Sequence, residues 1–145
     1  MNLLKITLLA LSVASVEVKP DNWFTNKEEA FAFAQLHNEQ ILMVFAGSDW
    51  CRPCIQLKQD ILISEEFEDF SKDRLAILYL DFPSKNKNKL SPEQIKHNEA
   101  LAEKYNMAGK FPKIILFDKD LKKLKEITFR SQLPAEFIRE IKAVK

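Results

Sequence analysis

GSDWCRPCIQLKQDI, residues 47–61, holds both cysteines of the chain, Cys51 and Cys54. Trp50 precedes the pair, and Arg52 and Pro53 lie inside it. Two thiols so placed can serve as a structural staple, a metal site or a redox couple. A disulfide over so short a loop removes little chain entropy, so the staple is the weak reading. Structural zinc takes four ligands, and the chain adds only two histidines, His37 and His97, both distant in sequence. Copper transfer through the two thiols stays open.

The flanking residues predict a strand feeding a helix. ILMVFAG (41–47) is a short unbroken apolar run, as in a strand buried on both faces. Cys54, Leu57 and Ile61 recur at helical spacing, so a helix is expected from near Cys51 past Asp60. A second helical piece begins at Ser64, an N-cap candidate with Glu65 and Glu66 in its first turn.

Further out, TNKEEAFAFAQLHNEQ (25–40) reads as a helix. Thr25 and Glu28 form a capping box, Ala30, Phe33 and Ala34 share a face, and His37 suits the last turn. LAILYLDF (75–82) is a second central strand. SKNKNKL (84–90) is a lysine-rich loop, read as a solvated excursion, with a docking surface for an acidic partner as the other reading. SPEQIKHNEALAEKYN (91–106) is a helix capped by Ser91, with Pro92 at its first position, Gln94 closing the box and His97 at the surface. A turn at Gly109 precedes a strand from Lys113 to Asp118, and KEITFR (125–130) pairs antiparallel with it. LPAEFIREIKAVK (133–145) closes the chain, with Phe137, Ile138, Ile141 and Val144 as its buried stripe. This alternation predicts an α/β sandwich with a mixed central sheet flanked by helices.

The 145 residues suffice for one domain. A formal net charge of +1 calls for neither nucleic acid nor an acidic membrane surface. In MNLLKITLLALSVASVEV (1–18), Lys5 precedes an apolar run from Ile6 to Val16 that ends near the small residues Ala14 and Ser15. That pattern reads as a secretory signal peptide over residues 1–15, with a single domain over 16–145. A first strand or buried helix is the other reading. The run is too short to span a bilayer. The C-terminal KAVK is not an endoplasmic-reticulum retrieval signal. A periplasmic or secreted protein is expected, rather than a cytoplasmic one.

A helix beginning at Cys51 brings unpaired N–H groups and the helix dipole to that sulfur, and Arg52 adds a positive charge. Such sites lower a thiol pKa from ~8.5 to roughly 3.5–7.5, which marks Cys51 as the nucleophile. Cys54 lies one turn on and faces inward. Helical neighbours at that spacing have Cβ atoms ~5–6 Å apart, whereas a disulfide wants ~3.5–4.5 Å. The bond should therefore be more reducible than a structural one. Pro53 limits the turn's freedom and is tolerated in a first helical turn.

WCRPC after an apolar strand, with KFPKIILF (110–117) later, resembles the thioredoxin superfamily, and most closely its exported thioredoxin-like members. The resemblance runs from Trp23 to Val144. It implies a protein-disulfide reductase or isomerase in which Cys51 attacks and Cys54 resolves. Pro112 would match the family's cis-proline, and the backbone of Phe111 would pair with the substrate. Thioredoxins bury an acid in the strand before the motif and pair it with a lysine; Val44 and Ile77 stand at those positions here. The Cys54 proton would then pass to water or to another group; Asp49 is a candidate, though it reads first as a loop or capping residue.

The implied partners are disulfide-containing exported proteins and a membrane-bound thiol electron donor. No cofactor, metal or nucleic acid is implied, and a monomer is expected. A redox-inactive binding module on the same fold, supported by Val44 and Ile77, is the alternative alongside copper handling.

Overall fold

The structure, a computed structural model, describes residues 21–144. The leader read at residues 1–15, and the domain boundary after it, lie outside the described residues.

The two apolar runs form the middle of the sheet. β2 (Gln40–Ala46) and β3 (Leu75–Asp81) pair in parallel, from Gln40 opposite Leu75 to Ala46 opposite Asp81. β4 (Lys113–Phe117) runs antiparallel on the other side of β2, and β5 (Lys123–Ile127) antiparallel beyond it. A two-residue strand, β1 (Trp23–Phe24), pairs in parallel with β3, giving the order β1-β3-β2-β4-β5. β1 is too short to show a periodicity. It is held by Asn22, whose carbonyl accepts from Ile77 N–H at 2.8 Å and whose Nδ2 donates to the Leu75 carbonyl at 2.9 Å. β5 begins two residues before KEITFR and ends at Ile127, so Thr128–Arg130 leave the sheet.

Every β2 residue from Ile41 to Ala46 is buried, because alternate side chains enter two separate cores. Leu42, Val44 and Ala46 pack with α2 (Arg52–Gln56), the π-helical turns Leu57–Leu62 that continue it, α3 (Glu65–Ser71) and α5 (Pro134–Lys142). Ile41, Met43 and Phe45 pack with α1 (Lys27–His37) and α4 (Pro92–Tyr105). Each fully buried large apolar side chain contributes about 1.5–3 kcal/mol, and Phe45, Phe67, Phe117 and Phe137 lie in this class. Covered on both faces, β2 is a rigid base for the loop that leaves its C-terminal end.

Three local expectations change. The N-cap of α1 is Asn26, whose side chain accepts from Glu29 N–H at 3.0 Å, one residue later than the Thr25 box. Ser91 does cap α4, but Gln94 does not close a box. Its Nε2 donates instead to the Thr25 carbonyl and to Asn98 Oδ1. His97 is half-buried rather than a surface residue: its Nε2 accepts the Lys27 N–H at 2.9 Å, joining α4 to the start of α1. For Gln94 and His97 the cause is a partner on another segment, the Thr25 carbonyl and the Lys27 N–H, which no local rule can supply; for α1 it is a second local cap, Asn26, one residue on.

Candidate active site

β2 ends at Ala46 and α2 begins at Arg52, so residues 47–51 turn the chain from sheet to helix. Cys51 is the N-cap, with extended backbone, and its N–H donates to the Gly47 carbonyl at 2.9 Å. Its Sγ accepts the Cys54 N–H at 3.3 Å. A hydrogen bond to sulfur together with the helix N-terminus favours a thiolate over a thiol when the pair is reduced. Pro53 sits in the first turn, where its missing N–H has no helical acceptor to lose. Pro53 and Arg52 are both exposed.

Cys51 and Cys54 are disulfide-bonded, with Cα atoms 5.2 Å apart. The two sides of the bond differ: Cys51 is 5% exposed and Cys54 1%. Cys54 points into the core with Leu57 and Ile61. Of the two, Cys51 is the more open to solvent.

Trp50 stands half-exposed beside the pair. Its Nε1 donates to the Phe82 carbonyl at 2.7 Å, and its ring meets Phe111 edge-on at 5.2 Å between centroids. Phe111 also packs against Phe82 at 5.3 Å. The Phe111–Pro112 peptide is cis. Three loops thus meet at one end of the sheet, with Trp50 and Phe111 forming an aromatic shelf next to the sulfurs. Gly47 lies beneath the indole, where an added Cβ would overlap the Trp50 ring.

The residues just before Trp50 lock this arrangement. Asp81 accepts from Ser48 N–H at 2.9 Å and from Ser48 Oγ at 2.6 Å. Asp49 accepts from the N–H groups of Ser84 and Lys85 at 2.8 and 2.9 Å, from Asn88 Nδ2 at 2.9 Å and from Ser84 Oγ at 3.2 Å. The Ser84 amide, then Asn88, hold its carboxyl well below the usual carboxylate range. So engaged, Asp49 is a poor proton acceptor for Cys54 and acts as the fastener of the lysine-rich loop. Ser48, Asp49 and Trp50 each reach across more than thirty residues, and this clasp is the part of the site that the sequence reading missed. Short polar side chains that can bond backbone amides are the only local hint.

Below Cys54 the core is apolar. Val44 and Ile77 are fully buried in the same cluster as Cys54. Val44 pairs with Tyr79, which packs on that cluster with the Lys58 Nζ 5.3 Å from its ring centre. Burial pushes the Tyr79 phenol up to about 12, with Asp81 adding to the shift, so it stays protonated at neutral pH.

A family model for thioredoxin-like domains matches residues 27–145. A protein of Chlamydia pneumoniae named disulfide bond reductase DsbH is 34% identical over 119 residues, covering 79% of this chain and 70% of that protein. A solved structure of a DsbH oxidoreductase is 28% identical and superposes with a TM-score of 0.74, covering 90% of this chain and 91% of that one. A thioredoxin from Thermus thermophilus, 20% identical, shares the fold at a TM-score of 0.61, with 83% of each chain covered. The sulfur pair at a strand-to-helix turn, the mixed sheet between two helical layers and these likenesses agree: the chain belongs to the thioredoxin-like family and is a thiol–disulfide oxidoreductase of that superfamily.

Proposed function

We propose that the chain reduces disulfides in exported proteins, with Cys51 as the attacking thiol and Cys54 as the resolving one. The observation that carries the assignment is the unequal exposure of the two sulfur residues across one bond, with the more open one at the helix start. In the reduced protein the Cys51 thiolate attacks one sulfur of a client disulfide, and a client thiolate leaves. Cys54, as thiolate, then attacks Cys51 Sγ and expels the second client thiolate. Two electrons pass to the client, and the protein is left with the Cys51–Cys54 disulfide. A thiol donor on the membrane returns the two electrons.

Phe111 and Pro112 line the approach to the sulfurs, and the Phe111 backbone pairs with the client strand. Trp50, Arg52 and Pro53 support the couple. The direction follows the relative named as a reductase, and isomerisation results where resolution is incomplete. The apolar run over residues 1–15 directs export to a periplasmic or secreted location, and residues 16–145 form a monomeric domain. Among the described residues, no helix is long and apolar enough to cross a membrane.

Insulin reduction by dithiothreitol tests this reading. Wild-type protein accelerates precipitation of the insulin B chain, Cys51→Ser abolishes the acceleration, and Cys54→Ser traps disulfide-linked clients in an extract of the exported fraction. Wild-type protein no faster than buffer overturns it.

A further inference from the structure

Resting on the redox reading above, we infer that the cysteine end of the molecule selects acidic clients: extended segments with Asp or Glu next to the disulfide to be reduced. The chain as a whole is almost neutral, at +1, yet two of the three loops around the sulfurs carry cations only. Residues 82–90 contain Lys85, Lys87 and Lys89 and no acid, and residues 107–112 contain Lys110 and no acid. All four are exposed, as is Arg52 beside Cys51, and none has an ion-pair partner among the described residues.

The third loop, residues 47–51, contains one acid, Asp49, which accepts four hydrogen bonds from Ser84, Lys85 and Asn88. Those bonds fix the lysine loop against the residue before Trp50. A loop of this composition would otherwise be a mobile tether. Fastened here, it presents its cations beside the aromatic shelf. Lys110, the residue before Phe111, is held within its own loop, where Asn106 Oδ1 accepts its N–H at 2.9 Å and Asn106 Nδ2 donates to its carbonyl at 2.8 Å.

A cleft of about 290 Å³ adjoins the shelf. Phe82, Leu90 and Ile95 supply its apolar wall, Lys85 and Lys89 its cations, and Asp81 and Glu99 its acids, Asp81 being engaged by Ser48. The shelf favours a peptide over a lipid surface. A reactive bond beside two aromatic rings suits an extended chain with side chains on both sides, and the exposed lysines of the adjoining loops can pair with its carboxylates.

The test uses two synthetic peptides, each closed by one disulfide, identical except for Asp and Glu beside the cysteines in one and Lys in the other. The reduced protein should reduce the acidic peptide about tenfold faster at low ionic strength. The difference should vanish near 1 M salt, where the screening length is about 3 Å. The combined variant Lys85→Gln, Lys87→Gln, Lys89→Gln should lose most of the preference yet reduce the small neutral hydroxyethyl disulfide at the wild-type rate. Equal peptide rates in wild type, or a preference intact in the variant, overturn the inference. So does cosedimentation with phosphatidylglycerol vesicles without a peptide preference, which assigns the cations to lipid. Wild-type protein inert toward hydroxyethyl disulfide removes the redox reading first, and this inference with it.

Discussion

Asp49 and Ser84, thirty-five residues apart, are joined by two hydrogen bonds, the Ser84 N–H at 2.8 Å and its hydroxyl at 3.2 Å, both to Asp49 Oδ1. This contact ties the approach to the cysteine pair to the loop after β3. It makes the geometry around the cysteine pair depend on one ionised carboxylate.

The carboxyl of Asp49 is held below its ordinary value of 3.8, chiefly by the Ser84 amide. A depressed folded-state pKa contributes stability that is present above the unfolded value and lost as pH falls through the folded one. Thermal unfolding of wild type and Asp49→Asn should therefore differ most near neutral pH. The gap should narrow as pH drops below ~4 and close in stronger acid. A gap independent of pH contradicts a role for the charge.

Gly47 leaves the space the Trp50 indole fills. Gly47→Ala should push the ring off, break its 2.7 Å bond to the Phe82 carbonyl and destabilise the protein by about 1–3 kcal/mol. Urea titration gives the stability loss. Tryptophan emission shifted to longer wavelength, with Trp23→Phe as background, reports the displaced ring.

Tyr79 and Tyr105 are the two tyrosines of the chain. Tyr79 ionises near 12 in the folded state because burial disfavours the phenolate. Unfolded chains lose that proton near ~10, so the unfolded state binds fewer protons between those values and stability falls as pH rises through the window. Tyr79→Phe should remove that part of the alkaline loss, together with the late phase of phenolate absorbance. An unchanged titration would show that Tyr79 is not the late-ionising phenol.

In the reduced protein, Cys51 should be alkylated by iodoacetamide far faster than Cys54, with a pH midpoint well below the ~8.5 of a free thiol. Both the Cys54 amide on its sulfur and the helix start favour the anion. Peptide mapping of the alkylated protein identifies the modified residue. A midpoint near that of a free thiol, or preferential labelling of Cys54, reverses the assignment of roles.

Several layers were legible from residue order alone. The unbroken apolar runs at Ile41 and Leu75 announced strands covered on both faces, since only a centrally placed strand can hide consecutive side chains. Ser64 and Ser91 announced helix starts, because a hydroxyl can satisfy an amide three residues away with no help from the rest of the fold. The strand run followed by the Cys51–Cys54 spacing marked the strand-to-helix turn that holds the disulfide, and Phe137, Ile138 and Ile141 marked the buried face of the last helix.

Contacts between distant segments were decided only when the chain closed on itself. The Ser48–Asp81, Asp49–Ser84 and Trp50–Phe82 bonds, the His97 link to Lys27 and the pairing of β1 all join residues with no shared period, so no local pattern encodes them. Val44 shows both halves. As a valine in an apolar run it could be read as core. That it lies in one apolar cluster with Cys54, with Tyr79 at its side, follows from strand register, which pairs residues thirty-five apart in sequence. Local chemistry thus determined the elements and the reactive pair. Long-range packing determined what surrounds the pair, because side chains distant in sequence meet only after the sheet has set their positions.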